Sequence, residues 1–198
     1  MNRNAESIPS RDRVVARSLR RALALALLML WATASRASDI AVSVQNDDGL
    51  YQVRGHFETA ARLELVWKVL TDYEHIPSFV ESVKHSDVEE RDGARVKVRQ
   101  TAAIGVFPLR RRVRVTLDVR EHPQRRIEFR DLLGHDFRLY HGSWSLRGDS
   151  VSTVVEYALD ATPRSAAPQW IGRSMMSHSA QDLLQQVRDE IERRSRAR

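Results

Sequence analysis

The sequence contains no cysteine. Disulfides, thiolate metal sites and a lipidated N-terminal cysteine are therefore excluded, and the fold must be held by its core alone. No internal repeat, low-complexity tract or interdomain linker is visible. There is no glycine-rich phosphate loop, and no Gly-x-Ser-x-Gly elbow that would place a nucleophilic serine. The longest apolar run, ALALALLMLWA from Ala22 to Ala32, falls well short of the roughly 20 residues a spanning helix needs.

A cationic surplus exists, but it sits at one end. The chain carries 32 Lys+Arg against 26 Asp+Glu, a net charge of +6. Residues 1–37 hold Arg3, Arg11, Arg13, Arg17, Arg20, Arg21 and Arg36 against only Glu6 and Asp12. Without them, 161 residues remain with 25 basic and 24 acidic groups, a net charge of +1. A nucleic-acid binder keeps its cations in the folded part, because each neutralised phosphate adds to affinity through counterion release. No nucleic-acid partner is expected here.

Basic residues, a short apolar run and then small residues make residues 1–37 read as a cleaved secretory signal peptide, and the protein as exported and periplasmic. Two small-x-small sites compete, ending at Ala34 and Ala37, and Ala37 is favoured because Ser38 and Asp39 open a polar stretch. The alternative is a retained N-terminal membrane anchor. The Arg20-Arg21 pair lacks a full twin-arginine motif, so the export route stays open. Residues 38–49 follow as an N-terminal extension, residues 50–194 as a single domain and residues 195–198 as a tail. At this length about 70% of the unfolded surface can be buried.

The stretch FPLRRRVRVTLDV puts four arginines between Arg110 and Arg114. Read at period two, Val113, Val115, Leu117 and Val119 share one side with Arg111, while Arg112, Arg114, Thr116, Asp118 and Arg120 share the other. This is a half-buried strand whose arginines line a solvated sheet surface. Further alternating segments are expected at about 51–58, 83–90, 94–104, 125–132, 137–146 and 151–161, so that seven strands follow one another through short turns. Asp92-Gly93 is a favoured hairpin turn. Between the first two strands, Thr59 can cap a helix with Leu63, Val66, Trp67 and Leu70 on one face, and a second short helix starts near Ile76. A long helix from Pro168 to about Arg194 closes the chain, with a stripe of Met176, Ala180, Leu183, Leu184, Val187 and Ile191.

One strand, two helices, six strands and a closing helix is the order of the α+β helix-grip fold. VWKVLTDYEHIPSFVESV (66–83), GSWSL (142–146) and STVVEYAL (152–159) resemble the START-like superfamily, also called SRPBCC. It includes polyketide cyclases, lipid-transfer domains and coenzyme Q-binding proteins. The resemblance spans about Leu50 to Arg194. It implies a curved seven-stranded antiparallel sheet wrapped around the last helix, with a cavity between them.

On that resemblance, the ligand-binding candidates on the strands are Val98, Gln100, Val113, Val115, Leu117, Phe129, Tyr140, Trp144, Val155 and Tyr157. Gln100, Tyr140, Trp144 and Tyr157 stand out, since a buried polar tip needs a partner and a ligand can be one. The mouth would lie among GVFPL, LLGHD and PQWIGRSMM, where Phe107, Trp170, Met175 and Met176 gather apolar bulk that suits a greasy ligand or a membrane surface.

The seven histidines show no metal-site spacing, and neither metal nor cofactor is expected. Three functions stay open. The first is an exported monomeric carrier for a hydrophobic molecule, a lipid or an isoprenoid quinone. The second is a cyclase-like enzyme using His141, Tyr157, Asp131 or His135 as acid or base. The third is a docking module that meets a membrane or a protein through Phe107 and Trp170.

Overall fold

A computed structural model describes residues 40–104, 111–164 and 169–197. Eight strands form one antiparallel sheet: β1 (Ala41–Asp47), β2 (Leu50–Thr59), β3 (Val83–Asp92), β4 (Arg95–Ile104), β5 (Arg111–His122), β6 (Arg126–Asp131), β7 (Phe137–Gly148) and β8 (Thr153–Pro163). Their spatial order is β1-β2-β8-β7-β6-β5-β4-β3, so the sheet is a meander interrupted where β2 lies beside β8. Helix α1 (Leu63–Leu70) and a 3-10 turn (Tyr73–Ser78) connect β2 to β3, and the long helix α2 (Gln169–Arg196) follows β8. This is the expected helix-grip arrangement with one strand added.

The added strand, β1, lies in the segment read above as an extension. Ile40, Val42 and Val44 alternate against the core, and Asp48 (φ 45°) with Gly49 (φ 88°) makes the tight turn into β2. Asn46 Oδ1 accepts the Gly49 N–H at 3.0 Å and fixes that turn. Other boundaries also shift. Thr59 ends β2 instead of capping α1, because β2 keeps pairing with β8 as far as Thr59 opposite Thr153. The β3–β4 turn falls on Gly93 and Ala94, since Asp92 pairs with Arg95. The second short helix is a 3-10 turn containing Pro77, consistent with a ring that prevents an ordinary i to i−4 ladder.

Phe57, Val53, Val66, Val69, Leu184 and Ile191 are the heart of the core, each almost wholly buried. Leu184 of α2 sits over Gly55 of β2, where a Cβ would stand 2.4 Å from Leu184 Cδ1. The missing side chain gives the helix a notch in the sheet. At the far end of α2, Glu190 accepts hydrogen bonds from Arg193 and Arg194, and Arg194 also donates to Asp72 at 2.8 Å. These contacts fasten the helix end to the segment after α1.

On the convex face, acidic side chains pair with arginines of β2, β4, β6 and β7, while Arg112 and Arg114 of β5 have no ion-pair partner among the described residues. Asp118 is 5% exposed and accepts two hydrogen bonds from Arg95, at 2.7 and 2.9 Å, and one from Arg130 at 3.0 Å. The Arg95 hydrogen bond, with further help from Arg130, holds the Asp118 carboxyl below the usual carboxylate range against the opposing effect of burial. Arg54 pairs with Asp160, Arg126 with Glu128, and Arg147 with Glu156. Most of these ion pairs cross from strand to strand, and Arg126–Glu128 runs along β6. At the margin, β3 is mostly exposed and breaks register twice, between Val83 and His85 and between Val88 and Glu90.

Candidate ligand cavity

A cavity of about 210 Å³ lies between the concave face of the sheet and α2. Alternation along β4 and β5 turns Val98, Gln100, Ala102, Val113, Val115 and Leu117 inward to form its floor. Met175, Met176, Ala180, Leu183 and Val187 of α2 cover it, and Val69, Leu70, Tyr73, Ile76, Phe79 and Val80 close one side.

The remaining wall is aromatic. Phe137 and Tyr140 stand 4.8 Å apart between ring centroids, Trp144 and Tyr157 4.6 Å, and Phe129 lies 6.0 Å from Tyr140 and 6.5 Å from Tyr157. Gly142 makes this wall possible. A Cβ there would stand 2.6 Å from Phe129 Cζ and 2.2 Å from the Ala158 carbonyl oxygen, so any side chain would displace the Phe129 ring.

Of the strand residues singled out by sequence, Val98, Gln100, Val113, Val115, Leu117, Phe129, Tyr140, Trp144 and Tyr157 all line this one cavity, together with Met175 and Met176. Val155 does not line it. That end of β8 is filled by the entry to α1, where Thr153 Oγ1 donates to the Ala61 carbonyl at 2.8 Å, and Val155 is fully buried in solid core. Phe107 and the Trp170 side chain lie outside the described residues. Sequence reading missed the side wall, Val69 to Val80, and treated Leu183 and Val187 of the roof as plain core. Their apolar spacing was the available signal.

Among the described residues, the lining contains no Asp, Glu, His, Lys or Arg. Gln100 Nε2 donates to the buried Ser86 Oγ at 3.1 Å. Tyr73 donates to Glu121 at 2.9 Å, and burial, reinforced by the Glu121 charge, pushes its hydroxyl far up. Burial also raises Tyr140 to about 12, with a smaller contribution from Asp131. Tyr157 is pushed well above its ordinary value by burial, then by Tyr140. All three phenols are neutral donors at pH 7.

The other acid/base candidates are elsewhere. His141 is exposed on the convex face, 3.9 Å from Asp160. His135 is exposed in the β6–β7 loop. Asp131 accepts backbone N–H bonds from Thr116 (2.9 Å), Leu133 (3.3 Å) and Gly134 (2.9 Å), so its carboxylate shapes the loop.

The family model described as polyketide cyclase / dehydrase and lipid transport matches residues 59–188. The chain belongs to this family. No curated protein matches the sequence. Solved structures share the fold of this START-like chain. The ZhuI aromatase/cyclase from Streptomyces sp. R1128 is 21% identical, with a TM-score of 0.65 over 75% of this chain and 97% of its own. A STAR-related lipid transfer protein from Xanthomonas axonopodis is 18% identical, with a TM-score of 0.61 over 81% and 97%. Human StAR-related lipid transfer protein 5 is 11% identical, with a TM-score of 0.58 over 91% and 98%. At these identities the likeness is one of fold, and the chemistry must be read from the START-like cavity itself.

Proposed function

We propose that this START-like chain is an exported carrier for a hydrophobic small molecule, a lipid or an isoprenoid quinone. One observation carries the reading: the cavity lining is apolar and, among the described residues, uncharged. A ligand there is held by burial, worth about 25 cal/mol per Å² of apolar surface removed from water. A cavity of about 210 Å³ lies below the roughly 300–1,000 Å³ of typical small-molecule sites. It suits one acyl chain or one ring system. The sequence of residues 1–37 supports the exported location. Cyclase chemistry is the weaker reading, because phenols held neutral at pH 7 can donate hydrogen bonds but cannot act as general bases. Native mass spectrometry of protein purified from its envelope fraction tests the proposal. The expected result is a bound, organic-extractable molecule in stoichiometric amount; protein that is empty and takes up neither fatty acid nor quinone would refute it.

Contact with an anionic bilayer is favoured by a second observation. Leu132, Leu133 and Leu139 are 45%, 56% and 39% exposed around the β6–β7 loop. Arg112 and Arg114 lie alongside on β5, with Arg138 on β7, and none of the three has an ion-pair partner among the described residues. The nearby acids are otherwise engaged: Asp131 binds its own loop, and Asp136 Oδ2 accepts the Arg114 N–H at 2.8 Å. Exposed leucines beside free guanidiniums match a surface of acyl chains and phosphates. Among the described residues no helix is long and apolar enough to cross a membrane. The protein is expected to sediment with phosphatidylglycerol vesicles and not with phosphatidylcholine vesicles, and Leu132→Ser with Leu133→Ser should abolish this. Equal binding to both vesicles, or no effect of the double substitution, would exclude this surface.

A further inference from the structure

Two hydroxyls inside the cavity have no hydrogen-bond partner among the described residues. Tyr140 and Tyr157 both line it, and neither phenol makes a hydrogen bond to any of the described residues. Tyr157 is only 5% exposed, and Tyr140 is half-buried. The two stand on neighbouring strands, β7 and β8, four register steps apart and so on one face of the sheet: Tyr140 pairs with Ala161 and Tyr157 with Trp144. Phe129 bridges them, with ring contacts to both. Of the other polar side chains in the lining, Gln100 bonds Ser86 and Tyr73 bonds Glu121, while Ser82, Ser179 and Trp144 make no side-chain hydrogen bond to the described residues and, unlike the two phenols, are not paired across Phe129.

Buried hydroxyls in a folded protein are nearly always satisfied by protein, water or ligand. Here both sit in the wall of an open space, and both are donors with no acceptor among the described residues. The surfaces beside them are flat rings of Phe129, Phe137 and Trp144, which favour stacked or edge-on contact with another ring. The opposite side, Val69, Val98, Leu183 and Val187, is aliphatic and offers no such preference.

We infer that Tyr140 and Tyr157 form a recognition subsite for a planar ring bearing a hydrogen-bond acceptor, such as a ring carbonyl, while the aliphatic side takes the ligand's saturated part. This rests on the carrier reading and narrows its ligand class. Plain fatty acyl chains fill the cavity but leave both hydroxyls unmatched. An oxygenated ring satisfies them, and a site built for such a bond discriminates against the analogue lacking it.

The test compares 1,4-naphthoquinone with naphthalene, similar in shape but with and without acceptors, by titration calorimetry on the full chain. Wild type should bind the quinone about 10-fold or more tightly than naphthalene, the scale of one to two hydrogen bonds. Tyr140→Phe with Tyr157→Phe should erase that preference and leave naphthalene binding unchanged. Both substitutions remove only unmatched oxygens, so the thermal midpoint should hold or rise, which shows that the double variant is folded. A wild type without preference, or a preference that survives in the double variant, overturns the inference. If neither probe binds while native protein carries an acyl chain, the subsite is refuted and the carrier stands. If neither probe binds and native protein is empty, both fall.

Discussion

Val115→Trp will leave a folded protein that no longer takes up ligand. Val115 faces the middle of the cavity floor, opposite Gln100 of β4, and is 8% exposed. The added indole has one direction to go, into the roughly 210 Å³ that the ligand would occupy. Overpacking a tight core costs about 1–3 kcal/mol, but a side chain entering existing space escapes most of that strain. Thermal unfolding should therefore stay within a few degrees of wild type. Affinity for a hydrophobic probe such as cis-parinaric acid should fall about 100-fold or more, the loss expected when some 3 kcal/mol of burial is forfeited. Unchanged binding by the folded variant would place the ligand site elsewhere.

The largest loss of stability is expected from Leu184→Ala. Leu184 is fully buried and fills the notch over Gly55, where α2 packs directly against the β2 backbone. Truncating such a residue removes its own burial and leaves a void the neighbours cannot close, a cost of about 2–5 kcal/mol. Rigid β2 backbone on one side and the helix on the other limit relaxation here, which argues for the upper half of that range. Urea denaturation with an unchanged m-value and a lowered midpoint is the expected result. A loss under about 1 kcal/mol would mean that α2 can slide to refill the notch.

These two positions also show what could be read from the sequence. Val115 was identifiable because β5 alternates strictly: its inward valines and outward arginines leave one register possible, and the ion pairs on Asp118 confirm it. Tyr140, Trp144 and Tyr157 are singled out through the START-like resemblance, which implies a cavity on the concave side of the sheet. The side wall was harder. Val69 and Leu70 end helix α1 and Val80 follows the 3-10 turn, and no local pattern specifies how this segment folds over the sheet. Leu183, which roofs the cavity, and Leu184, which packs solid core, are adjacent residues of the same type on one helix. Periodicity tells which face of an element is buried; it carries no information about whether the buried volume is filled. Strand β1 was missed for a different reason. Its alternating Ile40, Val42 and Val44 are only half buried at the edge of the sheet, so its apolar signal is diluted by polar neighbours.

The twice-broken register of β3 has a consequence for how these molecules treat one another. A straight, open-edged ribbon offers its unpaired amides and carbonyls as a template on which a neighbouring copy can extend the same sheet, the opening step of fibril growth. Two kinks in ten residues, set among Lys84, Glu89, Glu90 and Arg91, spoil that template, so crowded copies meet a charged and crooked margin on this side and have little to zip onto.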